Sequence, residues 1–224
     1  MATSSDTSKP RIRARLALAI LEVLQAQDTP VEVLEDENPS ETMPRRLGLS
    51  GVVDRQVRLY REEAKRGGRI TDGQFQDLVQ LVTRRPDAPE IFWQVGRRMS
   101  DAGDQTLLSR LLPESLRHAR LRRRVRRRFK RVFGRSIGSF APGPFSLEGR
   151  GLLFTRHAPR GEACYLASGL CQSLVEEVLG EEYHAVHDRC EARGDTMCRW
   201  TITGDARTRE SSRVGDWMPE PEAG

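Results

Sequence analysis

The sequence predicts an α+β fold: helices packed on a small antiparallel sheet, a long helix inserted before a C-terminal hairpin, and a helical N-terminal region. Three observations predict it. Apolar residues recur at helical spacing from about residue 11 to 133. The period then shortens, with strand-like stretches at 145–157, 183–191 and 196–203. Between the first strand region and the last two lies 161–180, a helical run closed by Gly180.

Residues 1–10 are polar and read as disordered. Leu16, Ala19, Ile20 and Leu24 place a helix over 11–27, followed to residue 44 by an acidic linker holding Pro30, Pro39 and Pro44. Residues 45–84 read as a helical region. Its first helix, about 50–66, puts Val53, Val57, Tyr60 and Ala64 on one face and stops at Gly67-Gly68. Thr71 with Gln74 forms a capping box for the next, whose apolar face is Phe75, Leu78, Val79 and Val82. Asp87 is placed to cap a helix with Ile91, Phe92, Val95 and Met99 inward, before a break at Gly103. Residues 105–133 read as a helix pair or one kinked helix, with Pro113 at a new start. After a loop at 134–144, one or two strands surround Gly149-Arg150-Gly151. The helix at 161–180 turns Cys164, Ala167, Leu170, Cys171, Leu174 and Val178 inward. Arg193-Gly194-Asp195 supplies the turn of the final hairpin, and 205–224 reads as a disordered tail.

Charge is unevenly placed. Lys and Arg number 37 against 32 Asp and Glu, a net +5. Arginine outnumbers lysine 34 to 3, which fits a GC-rich bacterial coding sequence. Ten of the cations and no acid lie in 117–131, RHARLRRRVRRRFKR, so the rest of the chain carries −5. Leu121, Val125, Phe129, Val132 and Phe133 form a narrow stripe there, so the segment is an amphipathic helix with one side to bury. Its candidate contact surface is Arg120, Arg123, Arg124, Arg127, Arg128 and Arg131, facing an anionic partner: protein, nucleic acid or lipid headgroup. No reading head, aromatic platform or zinc finger accompanies it, so sequence-specific recognition is not expected. The same arginines read equally as a solvated face, or as a clamp on the acidic stretch 28–41. The longest apolar run, Leu16 to Leu21, is broken by Glu22. That excludes a transmembrane helix and makes a poor secretory signal. The expectation is a cytoplasmic protein whose four cysteines are reduced or metal-bound.

Those cysteines, Cys164, Cys171, Cys190 and Cys198, lie within 35 residues. Cys190 and Cys198 are symmetric about Gly194, so a hairpin turning there sets them opposite each other, close enough to share a zinc. Cys164 and Cys171 are seven residues apart, about two helical turns, so both can face the hairpin. Cys164, His187, Cys190 and Cys198 make a chemically sensible tetrahedral set. His187 and Cys190 are an odd number apart, however, so a regular strand would point them to opposite faces. A bulge or irregular strand near Asp188-Arg189 is required. The bland reading, buried thiols acting as small hydrophobes, stays open.

The stretch from Gly161 to Ile202 resembles the 4-vinyl reductase (4VR) domain family, which includes sensory domains of bacterial activators that detect aromatics. The resemblance rests on Cys164-Tyr165-Leu166-Ala167-Ser168-Gly169, Leu179-Gly180-Glu181-Glu182, Cys190-Glu191-Ala192-Arg193-Gly194-Asp195 and Cys198-Arg199-Trp200. It implies a zinc held by one helix cysteine and two hairpin cysteines, here Cys164, Cys190 and Cys198. His187 stands where the family's zinc-bearing sensors place an acid. It also implies the mixed fold shared with subunits of a Golgi transport-tethering particle, over a ligand-binding domain at 85–204. The implied function is a regulatory sensor whose apolar pocket takes a small apolar or aromatic ligand. Phe140, Phe145, Leu153, Phe154, Tyr165 and Trp200 are candidates for that pocket, or ordinary core. A stand-alone sensor needs a partner or a second copy, and the helices at 11–27 and 50–66 are the candidate homodimer surface. The family name also raises an enzyme of tetrapyrrole metabolism, but no nicotinamide or flavin fingerprint and no catalytic constellation appears.

Overall fold

In the computed structural model, residues 9–28, 52–100, 113–141, 145–155 and 157–204 are described. Of the stretch 1–10 expected to be disordered, residues 1–8 lie outside them, as do the acidic linker from residue 29, the break at Gly103 and the 205–224 tail. The fold is α+β. In chain order it runs β1 (Ile12–Arg13), α1 (Ala14–Asp28), α2 (Val52–Lys65), β2 (Arg69–Ile70), α3 (Asp72–Thr83), α4 (Ala88–Arg98) and α5 (Glu114–Phe133). There follow β3 (Ser139–Phe140), β4 (Ser146–Gly149), α6 (Cys164–Val178), β5 (His184–Arg189) and β6 (Cys198–Thr203). The sheet is antiparallel in the order β3-β4-β6-β5, so β6 returns between β4 and β5.

Helix α6 is the centre. Thirteen of its 15 residues are buried, so it is wrapped on all sides rather than on one face. Helix α4 crosses it closely, because two glycines meet there. A Cβ on Gly96 would lie 2.2 Å from the Leu166 carbonyl oxygen, and one on Gly169 would lie 2.2 Å from that of Trp93. No side chain fits, so the two backbones touch. Helix α5 adds its stripe, with Leu121, Val125, Phe129, Val132 and Phe133 all buried. Its arginines tie down the end of α6. Arg117 donates to the Val178 carbonyl at 3.4 Å and to that of Leu179, meeting carbonyls the helix leaves without partners. Arg124 pairs with the buried Glu177 at 2.5 Å. Gln172, also on α6, accepts from Ala185 N at 2.8 Å and donates to Tyr183 O at 3.2 Å, which anchors the start of β5 to the helix.

The N-terminal helices share this core rather than forming one of their own. A single buried cluster includes Ile12, Leu16 and Ile20 of the N-terminal segment, Val57 and Tyr60 of α2, and residues as far as Trp200. The capping box of Thr71 and Gln74 forms as expected. Asp87 does not cap α4; its carboxylate instead takes both Arg85 donors, at 2.8 and 2.9 Å. The strand expected at 145–157 is shorter, only Ser146–Gly149, and the chain then turns through Gly151 toward α6. Pairing of β1 with β2 had no sequence signal, because two residues are too few to show a period. Among the described residues, no helix is long and apolar enough to cross a membrane.

Candidate metal centre

Four chain positions converge at the start of α6. Cys164 is the first residue of that helix, His187 lies in β5, Cys190 follows β5, and Cys198 opens β6. The required irregularity is present. His187 pairs with Trp200, but Arg189 pairs with Arg199, so Asp188 is the extra residue of a bulge. A bulge restores the parity that the odd separation broke. The imidazole and the Cys190 thiol thus reach the same side as Cys198.

The donor atoms of Cys164, His187, Cys190 and Cys198 all lie within 4.8 Å of one another. The Cys164 sulfur is 3.9 Å from that of Cys190 and 3.9 Å from that of Cys198. A tetrahedron with zinc–sulfur bonds of about 2.3 Å has edges of about 3.8 Å. The three cysteines are fully buried. Among the described residues, Nε2 of His187 is buried with no hydrogen-bond partner, although a ring nitrogen in such a place ordinarily finds one. This group of residues can hold a metal ion.

The surrounding structure fixes the donors. Trp200 stacks on His187, ring centroids 4.5 Å apart and planes 11° from parallel, and its indole N–H donates to Ser168 Oγ at 2.9 Å. Cys190 N donates to Asp195 Oδ2 at 2.6 Å, while Arg193 N and Asp195 N donate back to Cys190 O at 2.9 and 3.1 Å. Glu191 N donates to the Cys198 sulfur at 3.4 Å. The Glu191 carboxylate accepts from Gly151 N at 2.8 Å, which joins the turn to the end of β4. Gly161 faces Cys190 with a φ of +82°, and a Cβ there would sit 2.7 Å from the sulfur. Sequence reasoning missed Gly161 and the role of Asp195 as a clasp. The Gly194-Asp195 pair was visible, but only as a turn.

Protons in the thiol cluster are shared unequally. Cys190 is held far below the ordinary thiol range, first by contact with Cys164, then by contact with Cys198. Cys164 is pushed well above it, by the contact with Cys190, the contact with Cys198 and burial. For Cys198, the contact with Cys164 lowers the thiol, but the contact with Cys190 and burial outweigh it and push it up to about 11. Burial pushes His187 down to about 4, so its imidazole is neutral, the form that ligates. Cys171 lies outside the group. It is fully buried, and burial alone drives its thiol far up, so it packs as a small hydrophobe.

The six candidate pocket residues lie in or against the one hydrophobic core. Phe140 of β3 meets Phe145 edge-on at 5.1 Å, under the guanidinium groups of Arg122 and Arg126, each 6.0 Å from the Phe140 ring centre. Phe154 is in the core beside Phe133 at 5.9 Å. Trp200 belongs to the metal-donor cluster, Leu153 is buried, and Tyr165 is half-buried on α6. The basic residues also divide. Arg123, Arg127 and Arg131 are exposed, whereas Arg120, Arg124 and Arg128 are half-buried. Arg124 and Arg128 turn onto the body, to Glu177 and to the Ser100 carbonyl. Compared with known proteins, the chain matches no protein-family description, no curated protein and no solved structure.

Proposed function

We propose that the protein is a small-molecule-binding regulatory domain of the 4-vinyl reductase type, stabilised by a structural zinc on Cys164, His187, Cys190 and Cys198. The observation that carries the metal half is the convergence of four buried donors within 4.8 Å. Three thiolates and an imidazole suit zinc in tetrahedral geometry and leave no position for a reacting water, so the role is structural. Such a site bears one net negative charge. The start of α6 and the Glu191 amide present positive dipole ends to it. What supports the sensor half is the motif spread over Gly161–Ile202, together with the order helix, strands, buried helix and hairpin. The absence of a catalytic constellation in the sequence favours binding over chemistry.

Native mass spectrometry of protein purified without chelator tests both halves. The expected result is about one zinc per chain, lost in Cys190→Ser, with a co-purified apolar molecule in a fraction of the population. Zinc at trace stoichiometry in the wild-type protein sinks the metal reading.

A further inference from the structure

We infer that the basic helix contributes to a binding cleft for a soluble small molecule bearing two or more phosphate groups, distinct from the candidate metal centre. The cleft is about 210 Å³. Its arginines come from segments far apart in sequence: Arg13 and Arg15 where β1 meets α1, and Arg128 and Arg131 on α5. Gly67 and Gly68, after α2, form another wall, with the Glu63 carboxylate against Gly68, and among the described residues no carboxylate belongs to the lining itself. In a chain with 32 Asp and Glu, four arginines around one concavity without an acid among its lining residues concentrate positive potential there.

The guanidinium groups are also positioned. Arg13 donates to the Gly67 carbonyl at 3.0 Å and Arg128 to that of Ser100, so both side chains are anchored to the main chain. Among the described residues, neither Arg13 nor Arg131 forms an ion pair with a carboxylate. Fixed in this way, the planar guanidinium of Arg13 offers further N–H donors to phosphate oxygens at small entropic cost. A second depression adjoins the first and shares Arg128 and Arg131, adding the exposed Arg127 and also Arg124, whose guanidinium is already paired with Glu177. On α5 these four stand at i, i+3, i+4 and i+7, one stripe about 10 Å long. Two joined depressions along such a stripe suit an anion with more than one phosphate.

Shape decides the class of partner. The cleft is smaller than the roughly 300–1,000 Å³ that encloses a drug-sized ligand, so it seats a charged group and leaves the remainder of a ligand outside. A duplex or a membrane needs cations that project from a convex face. Here Arg13 and Arg128 are half-buried and tied to the main chain, and only Arg15, Arg127 and Arg131 stand exposed at the rim.

Isothermal titration of the full chain with inorganic tripolyphosphate tests the inference, and a second titration uses inorganic phosphate. Tripolyphosphate is expected to saturate at one site and to bind at least tenfold more tightly than phosphate. Arg131→Ala is expected to weaken it about tenfold, the loss of one charge-assisted contact. Lys130→Ala, exposed on the same helix but outside the cleft, should leave it unchanged. Both side chains are exposed, so neither variant threatens the fold, and circular dichroism checks this. Three results each overturn the proposal: no saturable binding, an equal loss in Lys130→Ala, or binding of duplex DNA or anionic vesicles without binding of tripolyphosphate.

Discussion

Cys190 concentrates the chemistry of the candidate centre. Its sulfur contacts another thiol, its amide is clasped by Asp195, and Gly161 presses against it without a Cβ. Cys190→Ser is therefore expected to abolish zinc retention, read by metal analysis after desalting. Gly161→Ala introduces an atom 2.7 Å from that sulfur at a φ of +82°. The expected cost is about 1–2 kcal/mol of backbone strain plus displacement of the ligand. Zinc loss to a chelator should then be faster than in wild type, by a competition assay. At His187, exchange for Asp should keep the metal and exchange for Ala should weaken it, since a carboxylate can replace imidazole on zinc and a methyl cannot. The four donors were legible in the sequence, because their spacing matched a hairpin facing a helix. Gly161 and Asp195 were not, because their roles depend on contacts across a turn rather than on residue type.

At the scale of elements, the α4–α6 crossing and the α5–α6 joint set the frame on which the centre is built. Gly169→Ala puts a methyl group 2.2 Å from a backbone oxygen that has no freedom to move. It is expected to destabilise the protein by about 3 kcal/mol, measured by urea unfolding, whereas Ala at exposed Gln80 should change little. Glu177 gives a pH signature. Burial raises its carboxyl above the usual 4.5, against the lowering effect of Arg124. A raised carboxyl favours the protonated folded state, so its contribution is complete below the unfolded value and is lost as pH rises through the folded one. Glu177→Gln removes that loss. Its stability relative to wild type should therefore increase as pH rises from 4 toward neutrality, and an unchanged difference would count against a raised carboxyl. Helical periodicity made α3, α4 and α6 legible. The early end of β4 was not, since glycines at 149 and 151 fit both a bulged strand and a turn.

Over the whole molecule, one hydrophobic cluster joins the N-terminal helices to the final hairpin. A structural zinc supplies on the order of 10 kcal/mol, comparable with the entire stability of a domain. Chelation should lower the melting temperature by more than about 10 °C, in one transition seen by both far- and near-ultraviolet circular dichroism. An unchanged melting curve after verified metal removal would exclude a stabilising metal. The sequence by itself determined the fold class, Cys164, Cys190 and Cys198 with His187 as candidate donors, and the need for a bulge between His187 and Cys190. These follow from local rules of period, parity and turn chemistry. Only the tertiary structure decided that Cys171 stands apart, that the aromatic candidates join one packed core, and that arginines 113 residues or more apart in the chain share a cleft. Such outcomes depend on how helices cross and rotate about their axes. That is set by close backbone contacts such as Gly96 against α6, and a linear pattern of residue types does not encode it.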